Sequence, residues 1–411
     1  MNSNLNHLQP YPFQKLRKLF DGIKRNSALT PIDLHIGEPK HATPDFIRQA
    51  AIDHLGGLAN YPTTQGTPAL RCSIADWLMR RFHLSRINPD TQVIPVNGSR
   101  EALFSFAQAM IDASAAHPPF VVCPNPFYQI YEGAALLAGA TPKFINTTAD
   151  NDFRLDCSQL ADDIWSRTQL IYVCSPNNPT GNVMTLDEWH QLFELSDRHG
   201  FVIAADECYS EIYFDEHKPP LGALDAAQQL GRMEFPRLVV FNSLSKRSNV
   251  PGLRSGFAAG DAQILEKYLI YRTYHGCAMN PVSQAASIAA WKDETHVAAN
   301  RRMYLEKFLK VTALLSKIMP KQMPVQMPDA GFYLWLNTPV ADTEFTKLLY
   351  RDYNVTVLPG SYLGRAVRGI NPGENYVRIA LVASLDECIE AVNRIIGLLE
   401  KLASPNTTNL K

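Results

Sequence analysis

Short apolar runs alternate with helical patterns through the middle of the chain. Helical stretches separate most of these runs, and Thr185-x-x-Glu188 is a capping box that marks one helix start. This alternation is typical of a mostly parallel, mixed sheet that is covered by helices on both faces, and it predicts an α/β fold. The runs are VIPV (93–96), FVVC (120–123), KFI (143–145), LIYVC (170–174), FVIAAD (201–206), LVVFNSLS (238–245) and SGFAAG (255–260).

The two ends of the chain have a different pattern. Residues 1–42 are punctuated by prolines and weakly periodic, which predicts an arm that packs with the small domain. The last hundred residues contain FYLWLN (332–337), VTVL (355–358) and YVRIALV (376–382), and Ser384-x-x-Glu387 predicts a final helix. We therefore expect three parts, which are the arm at 1–42, a large domain at 43–290 and a small α+β domain at 291–411.

Local signals predict further helix boundaries and a polar tail. Thr43-Pro44-Asp45 is typical of a helix start, and Gly56-Gly57 predicts the end of that helix. The polar residues after Leu402 predict a frayed terminus. The next helix has an apolar face that consists of Leu70, Ile74, Trp77, Leu78 and Phe82.

Composition restricts the classes of function. The 411 residues are 46% apolar and 19% charged, and 39 basic residues against 40 acidic ones give a formal net charge of -1. This balance argues against nucleic-acid or membrane-surface binding. No apolar run approaches bilayer length, and the first residues lack the apolar core of a signal peptide. The seven cysteines form no CxxC pair, so we expect a cytoplasmic protein without a structural metal.

Polar residues follow four of the predicted strands directly. Ligands in open α/β sheets bind outside the carboxyl ends of the strands, so these residues are candidates for one site. Each has an ordinary alternative, such as a simple turn, a helix cap or a solvated lysine, but their shared location predicts a site for a phosphorylated, aldehyde-bearing cationic heterocycle. The four groups are the anion seat Asn97-Gly98-Ser99-Arg100, the stiff loop SPNNPTG (175–181), Asp206 with Tyr209, and Ser243-Leu244-Ser245-Lys246 with Arg254.

Together with GEP (37–39), Tyr61 and VRIAL (377–381), these motifs resemble those of fold-type-I pyridoxal-phosphate aminotransferases of class I/II over nearly the whole chain. More narrowly, four segments are similar to bacterial succinyldiaminopimelate aminotransferases. They are LQPYPFQKLR (8–17), LHIGEPKHATPDFI (34–47), SLSKRSNVPGLRSGF (243–257) and YRTYHGCAMNP (271–281).

The resemblance implies a catalytic role for a few residues. Lys246 would bond covalently to the aldehyde of pyridoxal 5'-phosphate and then move the proton from the substrate Cα. Asp206 would keep the pyridine nitrogen protonated, and Asn178 and Tyr209 would hydrogen-bond the phenolate oxygen.

The resemblance also implies binding roles. Tyr128 would stack on the cofactor ring, with Phe127 as an alternative. The substrate α-carboxylate would be bound by Arg378, with Gly37 and Asn178 beside it. For the distal carboxylates we favour Arg272 over Lys40, His275, Arg365 and Arg368. The phosphate would be bound by the backbone N–H groups of Ser99 and Arg100, by Ser243, Ser245 and Arg254, and by Tyr61 of a neighbouring subunit.

The expected function is transamination of N-succinyl-LL-diaminopimelate with 2-oxoglutarate by a homodimer with composite sites, in diaminopimelate and lysine biosynthesis. Alternatives within the fold are an aminotransferase for aspartate or aromatic substrates and a pyridoxal-phosphate β-lyase. A non-catalytic regulator that binds the cofactor is a third possibility. Filled catalytic positions and the short arm before Thr43 argue against the regulator.

Overall fold

The computed structural model describes residues 1–319 and 324–404. Its helices are α1 (Pro12–Leu19), α2 (Asp45–Asp53), α3 (Pro68–Phe82), α4 (Ser99–Met110), α5 (Ile130–Leu137), α6 (Asp162–Trp165), α7 (Leu186–His199), α8 (Ala223–Gln229), α9 (Leu244–Arg247), α10 (Ala262–His275), α11 (Pro281–Lys292), α12 (Thr295–Leu315), α13 (Asp342–Tyr353) and α14 (Leu385–Ala403). Its strands are β1 (Ile32–Asp33), β2 (Val93–Val96), β3 (Phe120–Asn125), β4 (Thr141–Asn146), β5 (Thr168–Cys174), β6 (Val202–Asp206), β7 (Leu238–Ser243), β8 (Gly256–Gly260), β9 (Tyr333–Asn337), β10 (Val355–Thr356), β11 (Leu358–Pro359) and β12 (Tyr376–Ala380).

Seven of the described strands form one mixed sheet, in the order β2-β8-β7-β6-β5-β3-β4. The neighbouring pairs are parallel except that β8 runs antiparallel to both β2 and β7. The carboxyl ends of β2, β5, β6 and β7 therefore meet at one edge of the sheet. The α/β prediction is confirmed, and each apolar run between residues 93 and 260 contains one strand of this sheet.

Both faces of the large sheet are buried under helices. Inward-facing residues of α3 pack against one face, and Leu70, Ile74, Trp77, Leu78 and Phe82 are all buried there, as predicted. The other face packs against α4, α5 and α10, with Phe106 and Tyr268 among the buried rings. Burial on both faces explains why these strands are continuously apolar rather than alternating.

Two smaller sheets lie toward the end of the chain. Strands β11, β12 and β9 form an antiparallel sheet, whereas β1 of the arm pairs in parallel with β10. The run VTVL, which reads as a single strand, is thus divided at Val357 between two sheets. We propose the division into 1–42, 43–290 and 291–411, since Ile32 and Leu34 of the arm are buried in the same cluster as α14.

Three boundary predictions have different outcomes. Helix α14 begins after Ser384, whose side chain and that of Glu387 form the predicted capping box. Helix α2 ends at Asp53, before Gly56-Gly57, because a 3-10 turn over Leu55–Ala59 follows it. The predicted polar tail lies outside the described residues from position 405 onward. None of the helices in the described ranges is long and apolar enough to cross a membrane.

Candidate active site

A cavity of about 540 Å³ lies at the carboxyl edge of the large sheet. Its walls come from the ends of the large-sheet strands, from the arm and from the small domain. Most of the residues predicted for the site line it. These are Gly37, Ser99, Arg100, Tyr128, Asn178, Asp206, Tyr209, Ser243, Ser245, Lys246, Arg254 and Arg378.

Lys246 reaches the cavity from α9, directly after β7. Ser243 begins this helix by accepting a hydrogen bond from the backbone N–H of Ser245, which turns the chain where the strand ends. The Lys246 Nζ donates to the Gly37 carbonyl at 2.8 Å. Burial lowers the pKa of this amine to about 8, and the like charges of Arg378 and Arg100 act in the same direction. A nucleophilic, uncharged amine is therefore accessible near neutral pH.

Asp206 ends β6 as a buried carboxylate at the cavity wall. It accepts hydrogen bonds from the Tyr131 hydroxyl at 2.8 Å and from the Cys208 backbone N–H at 3.3 Å. Burial raises the pKa of this carboxyl group, and these hydrogen bonds oppose the rise. A cationic ring nitrogen next to Asp206 would supply the compensating charge that a buried carboxylate requires.

An anion seat forms where β2 turns into α4. Gly98 has a φ of +85°, and a Cβ at this position would lie 2.2 Å from Nη2 of Arg254. The backbone conformation therefore favours glycine, and a side chain here would also displace the guanidinium of Arg254. The hydroxyls of Ser243 and Ser245 line the same cavity and are 2.9 Å apart. Backbone N–H groups at a helix start, two hydroxyls and an arginine fit a phosphate group.

Arg378 lines the cavity from β12 of the small antiparallel sheet. Its Nη1 donates to Asn178 Oδ1 and its Nη2 to the His35 carbonyl, each at 3.0 Å. The guanidinium also lies over the Tyr333 ring, 4.2 Å from its centre. Within residues 1–319 and 324–404 it forms no salt bridge, so its charge faces the cavity without a carboxylate. This arrangement can bind a carboxylate ligand.

Arg272 is placed elsewhere, and its predicted contact with substrate is wrong for this chain. The side chain is fully buried at the end of α10 and does not line the cavity. Its Nη1 donates to Glu101 Oε1 at 2.7 Å, and its Nη2 donates to the Cys277 carbonyl at 3.0 Å. Because Glu101 neutralises its charge, Arg272 serves the packing of α10 against α4.

The structure also places the stacking candidates, Tyr61 and the other distal-carboxylate candidates. Phe127 is buried against the Phe144 ring, whereas Tyr128 lines the cavity, so the structure favours Tyr128 as the stacking residue. Tyr61 is fully exposed on this chain, as a residue that serves a neighbouring subunit would be. Arg365 pairs with Glu132, and the remaining distal candidates, Lys40, His275 and Arg368, are exposed outside the cavity.

Several residues that line the cavity or contact its lining were not predicted from the sequence. Tyr333 contacts both Arg378 and Tyr209, Tyr131 contacts Asp206, and Tyr11 and Phe13 of the arm line the wall. Each belongs to an aromatic or apolar segment that resembles ordinary core. The pattern of aromatic residues alone does not distinguish a cavity wall from packing.

The chain is similar to known proteins over nearly its full length. The family model described as aminotransferase class I and II matches residues 30–395. Among curated proteins, the LL-diaminopimelate aminotransferase of Aquifex aeolicus is 31% identical over 97% of this chain and 98% of its own. That of Maridesulfovibrio salexigens is 30% identical over 95% and 97%.

Solved structures show the same similarity. An aminotransferase from Neisseria meningitidis superimposes with a TM-score of 0.93 and 50% identity, covering 97% of this chain and 100% of that one. The aminotransferase AspB from Helicobacter pylori superimposes with a TM-score of 0.86 and 36% identity, over 96% and 99% of the two chains. These similarities cover the arm, the large sheet and the small domain together.

Proposed function

The chain belongs to the class I and II aminotransferase family and is a pyridoxal-phosphate-dependent transaminase, and we propose that it transfers the amino group of N-succinyl-LL-diaminopimelate to 2-oxoglutarate. The observation that carries this proposal is a third arginine in the cavity. Arg254 lies at the anion seat, and Arg378 faces the substrate side. Arg100 also lines the cavity, and its Nε donates to the Tyr128 hydroxyl at 2.5 Å.

Arg100 indicates a substrate with more than one carboxylate. In the described part of the chain it forms no salt bridge, in contrast to Arg272 and Arg365. The side chain is exposed at the cavity, so its guanidinium is available to a second carboxylate of the substrate, which a monocarboxylate with an apolar side chain lacks. A substrate with three carboxylates offers one to Arg378 and another to Arg100, and the curated relatives named above act on a diaminodicarboxylate by their printed names.

The residues around the cavity would have different roles in the reaction. When bound, pyridoxal phosphate supplies an aldehyde that exchanges amino groups and a ring that accepts electrons. Lys246 would hold the aldehyde carbon and then move the proton at the substrate Cα. Asp206 would keep a proton on the ring nitrogen, and Tyr209 and Asn178 would donate hydrogen bonds to the phenolate oxygen. Arg378 would fix the α-carboxylate so that the Cα–H bond points toward Lys246.

LL-diaminopimelate without the succinyl group is a second candidate. Its distal nitrogen is an ammonium group rather than an amide. Glu38 lines the cavity and follows Gly37 directly, so a carboxylate is available for such an ammonium. The two candidate substrates therefore differ in whether they require Glu38.

A panel of amino donors with 2-oxoglutarate as acceptor tests the proposal. We expect succinyl-LL-diaminopimelate to have the highest kcat/KM, and we expect Glu38→Gln to leave that value within about threefold. Arg100→Met should lower kcat/KM for this donor by about 10- to 100-fold while changing alanine far less. A tenfold preference for aspartate, alanine or phenylalanine would contradict the substrate assignment, whereas a preference for LL-diaminopimelate that depends on Glu38 would favour the second candidate.

We propose a homodimer with composite sites and a cytoplasmic location. Tyr61 and the neighbouring apolar side chains Ile52, Leu55 and Leu58 are exposed on one surface of the chain, which supports a second copy as the occupant. All seven cysteines are free thiols, as expected in a reducing compartment. Sedimentation at assay concentration should show a dimer, and an active monomer would contradict the composite site.

A further inference from the structure

Tyr333 connects two parts of the site that sequence reasoning treats separately. It begins β9, is only 4% exposed and presents its ring to the cavity. Its hydroxyl oxygen lies 3.1 Å from that of Tyr209 on the large domain. Its ring lies under the guanidinium of Arg378 on the small domain. One side chain thus contacts both a proposed cofactor ligand and the proposed substrate receptor.

The register of the small sheet produces the contact between Tyr333 and Arg378. Ala380 is paired with Tyr333, and Arg378 is paired with Trp335, so Arg378 and Tyr333 are diagonal neighbours on one face of adjacent strands. This spacing allows the long arginine side chain to extend across the tyrosine ring. A cation over an aromatic face is attracted most strongly where water is excluded.

Gly37 makes room for the hydroxyl group of Tyr333. A Cβ at position 37 would lie 1.9 Å from the Tyr333 Oη, so any larger residue would displace this phenol. The Gly37 carbonyl also accepts the hydrogen bond from Lys246. The phenol therefore lies against groups of the arm, the large domain and the small domain.

We propose that Tyr333 is a positioning residue that couples the substrate-carboxylate receptor to the phenolate end of the cofactor. Its ring holds the Arg378 guanidinium, and its hydroxyl orients and polarises the hydroxyl of Tyr209. The inference rests on the proposed roles of Tyr209 and Arg378, and it deepens the proposed function by adding a residue that acts through both.

The proposed role of Tyr209 sets the direction of the hydrogen bond between the two hydroxyls. A phenol can donate one hydrogen bond and accept another, so Tyr209 can donate toward the cofactor oxygen while it accepts from Tyr333. Hydrogen bonds in such a chain strengthen each other. A stronger donor at the phenolate oxygen stabilises that anion and lowers the proton affinity of the adjacent Lys246 nitrogen. Loss of the Tyr333 hydroxyl should therefore raise that affinity.

Two substitutions separate the two contacts. Tyr333→Phe removes the hydroxyl and keeps the ring, so the pH midpoint of the visible absorption change of the holoenzyme should rise by about half a unit to one unit. Its dissociation constant for succinate, a dicarboxylate that cannot donate an amino group, should stay within twofold. Tyr333→Leu removes both contacts, so the midpoint should rise and succinate should bind about 3- to 20-fold more weakly.

Tyr304→Phe is the matched control. Tyr304 is buried in the same cluster, and its hydroxyl has no hydrogen-bond partner among the described residues. This variant should change neither the pH midpoint nor the affinity for succinate. If Tyr333→Leu does not fold, Tyr333→Met provides the same test of the ring.

The outcomes distinguish this inference from the proposed function. An unchanged midpoint in Tyr333→Phe, or unchanged succinate binding in the variant without a ring, would overturn the role of Tyr333. In that case Tyr209→Phe should still raise the midpoint and Arg378→Lys should still weaken succinate binding. If these two variants also show no change, the roles assigned to Tyr209 and Arg378 are wrong, and the proposed function loses its support.

Discussion

Arg378 on β12 and Arg272 on α10 are both buried arginines, but their surroundings differ. Arg378 donates to an amide oxygen and a backbone carbonyl and lies over the Tyr333 ring, with no carboxylate partner in the described chain. Arg272 donates to the Glu101 carboxylate and is capped by the Cys277 carbonyl. One positive charge is exposed to a cavity, and the other is neutralised inside the protein.

The difference shows that charge balance, rather than burial, separates a receptor from a structural ion pair. Burial of an arginine has a large desolvation cost, which a carboxylate within the chain offsets at Arg272. At Arg378 a carboxylate ligand would offset it instead. Arg365 with Glu132 and Arg301 with Glu216 follow the pattern of Arg272, so they too are expected to stabilise the fold.

Among the substitutions of cavity residues, Lys246→Ala should have the largest effect on turnover. Without the amine there is neither covalent attachment of the aldehyde nor proton transfer at the substrate Cα, so turnover should fall by at least about 10⁴-fold. Borohydride should link the cofactor to the wild-type chain and not to the variant. Lys292→Ala, which changes an exposed lysine at the end of α11, should keep full turnover. Substantial turnover by Lys246→Ala would refute the assigned mechanism.

Arg378→Met should lower activity without lowering stability. Removing the guanidinium leaves the α-carboxylate without its partner, so kcat/KM should fall by about 100- to 1000-fold. The free energy of unfolding should stay the same or rise, because an uncompensated buried charge is removed. Steady-state kinetics and urea denaturation at one protein concentration measure the two effects. A loss of stability as large as the loss of activity would place Arg378 in the same class as Arg272.

The ends of the strands were the part of the site that the sequence predicted well. Asp206 and Lys246 each follow an apolar run, and although each alone has an ordinary alternative role, the shared position of the polar groups at the strand ends predicts one site. The stiff loop around Asn178 is also a local feature of the chain. Local sequence was therefore sufficient for the large-domain wall of the cavity.

The residues that were missed or misplaced depend on distant contacts. Arg272 pairs with Glu101, which is 171 residues away, and no local pattern predicts that pairing. Tyr333 belongs to an apolar strand, and its exposure to the cavity follows from the register between β9 and β12. The run VTVL is divided because its two ends meet different partners, β1 and β12.

Arg272→Met should give the opposite result to Arg378→Met. Glu101, which is partly buried, would lose its counter-charge, so the free energy of unfolding should fall by about 1–3 kcal/mol. Since Arg272 does not line the cavity, kcat/KM of the folded enzyme should stay within threefold. A selective loss of kcat/KM for donors with distal carboxylates, with unchanged stability, would restore Arg272 as a substrate ligand.

The smallest expected effect is on the pH dependence of stability. It concerns two partly buried histidines, one beside a cation and one beside a carboxylate. His41 lies 2.6 Å from the Lys307 ammonium and 2.7 Å from the Asn300 amide oxygen, whereas His296 lies 2.6 Å from the Asp293 carboxylate. Burial lowers the pKa of both. At His41 the hydrogen bond to Asn300 opposes this shift and the Lys307 charge adds to it, whereas at His296 the Asp293 carboxylate opposes the shift and the Arg247 charge adds to it. A lowered pKa in the folded state means that the unfolded chain takes up the proton first as the pH falls. Stability should therefore be complete above about pH 6.5, the ordinary histidine value, and decrease below it.

His41→Gln should remove more of this pH dependence than His296→Gln. One proton changes the free energy of unfolding by at most about 1.4 kcal/mol per pH unit, so the difference between the variants should be about 1 kcal/mol or less between pH 7 and pH 5.5. Urea denaturation of wild type and both variants at these two pH values, at equal protein concentration, measures it. His35, whose pKa burial also lowers, is retained in both variants and cancels from the comparison. Equal effects of the two substitutions would mean that neighbouring charges do not determine the free-energy cost of a buried positive charge in this protein. The explanation of the difference between Arg378 and Arg272 by charge balance would then fail as well.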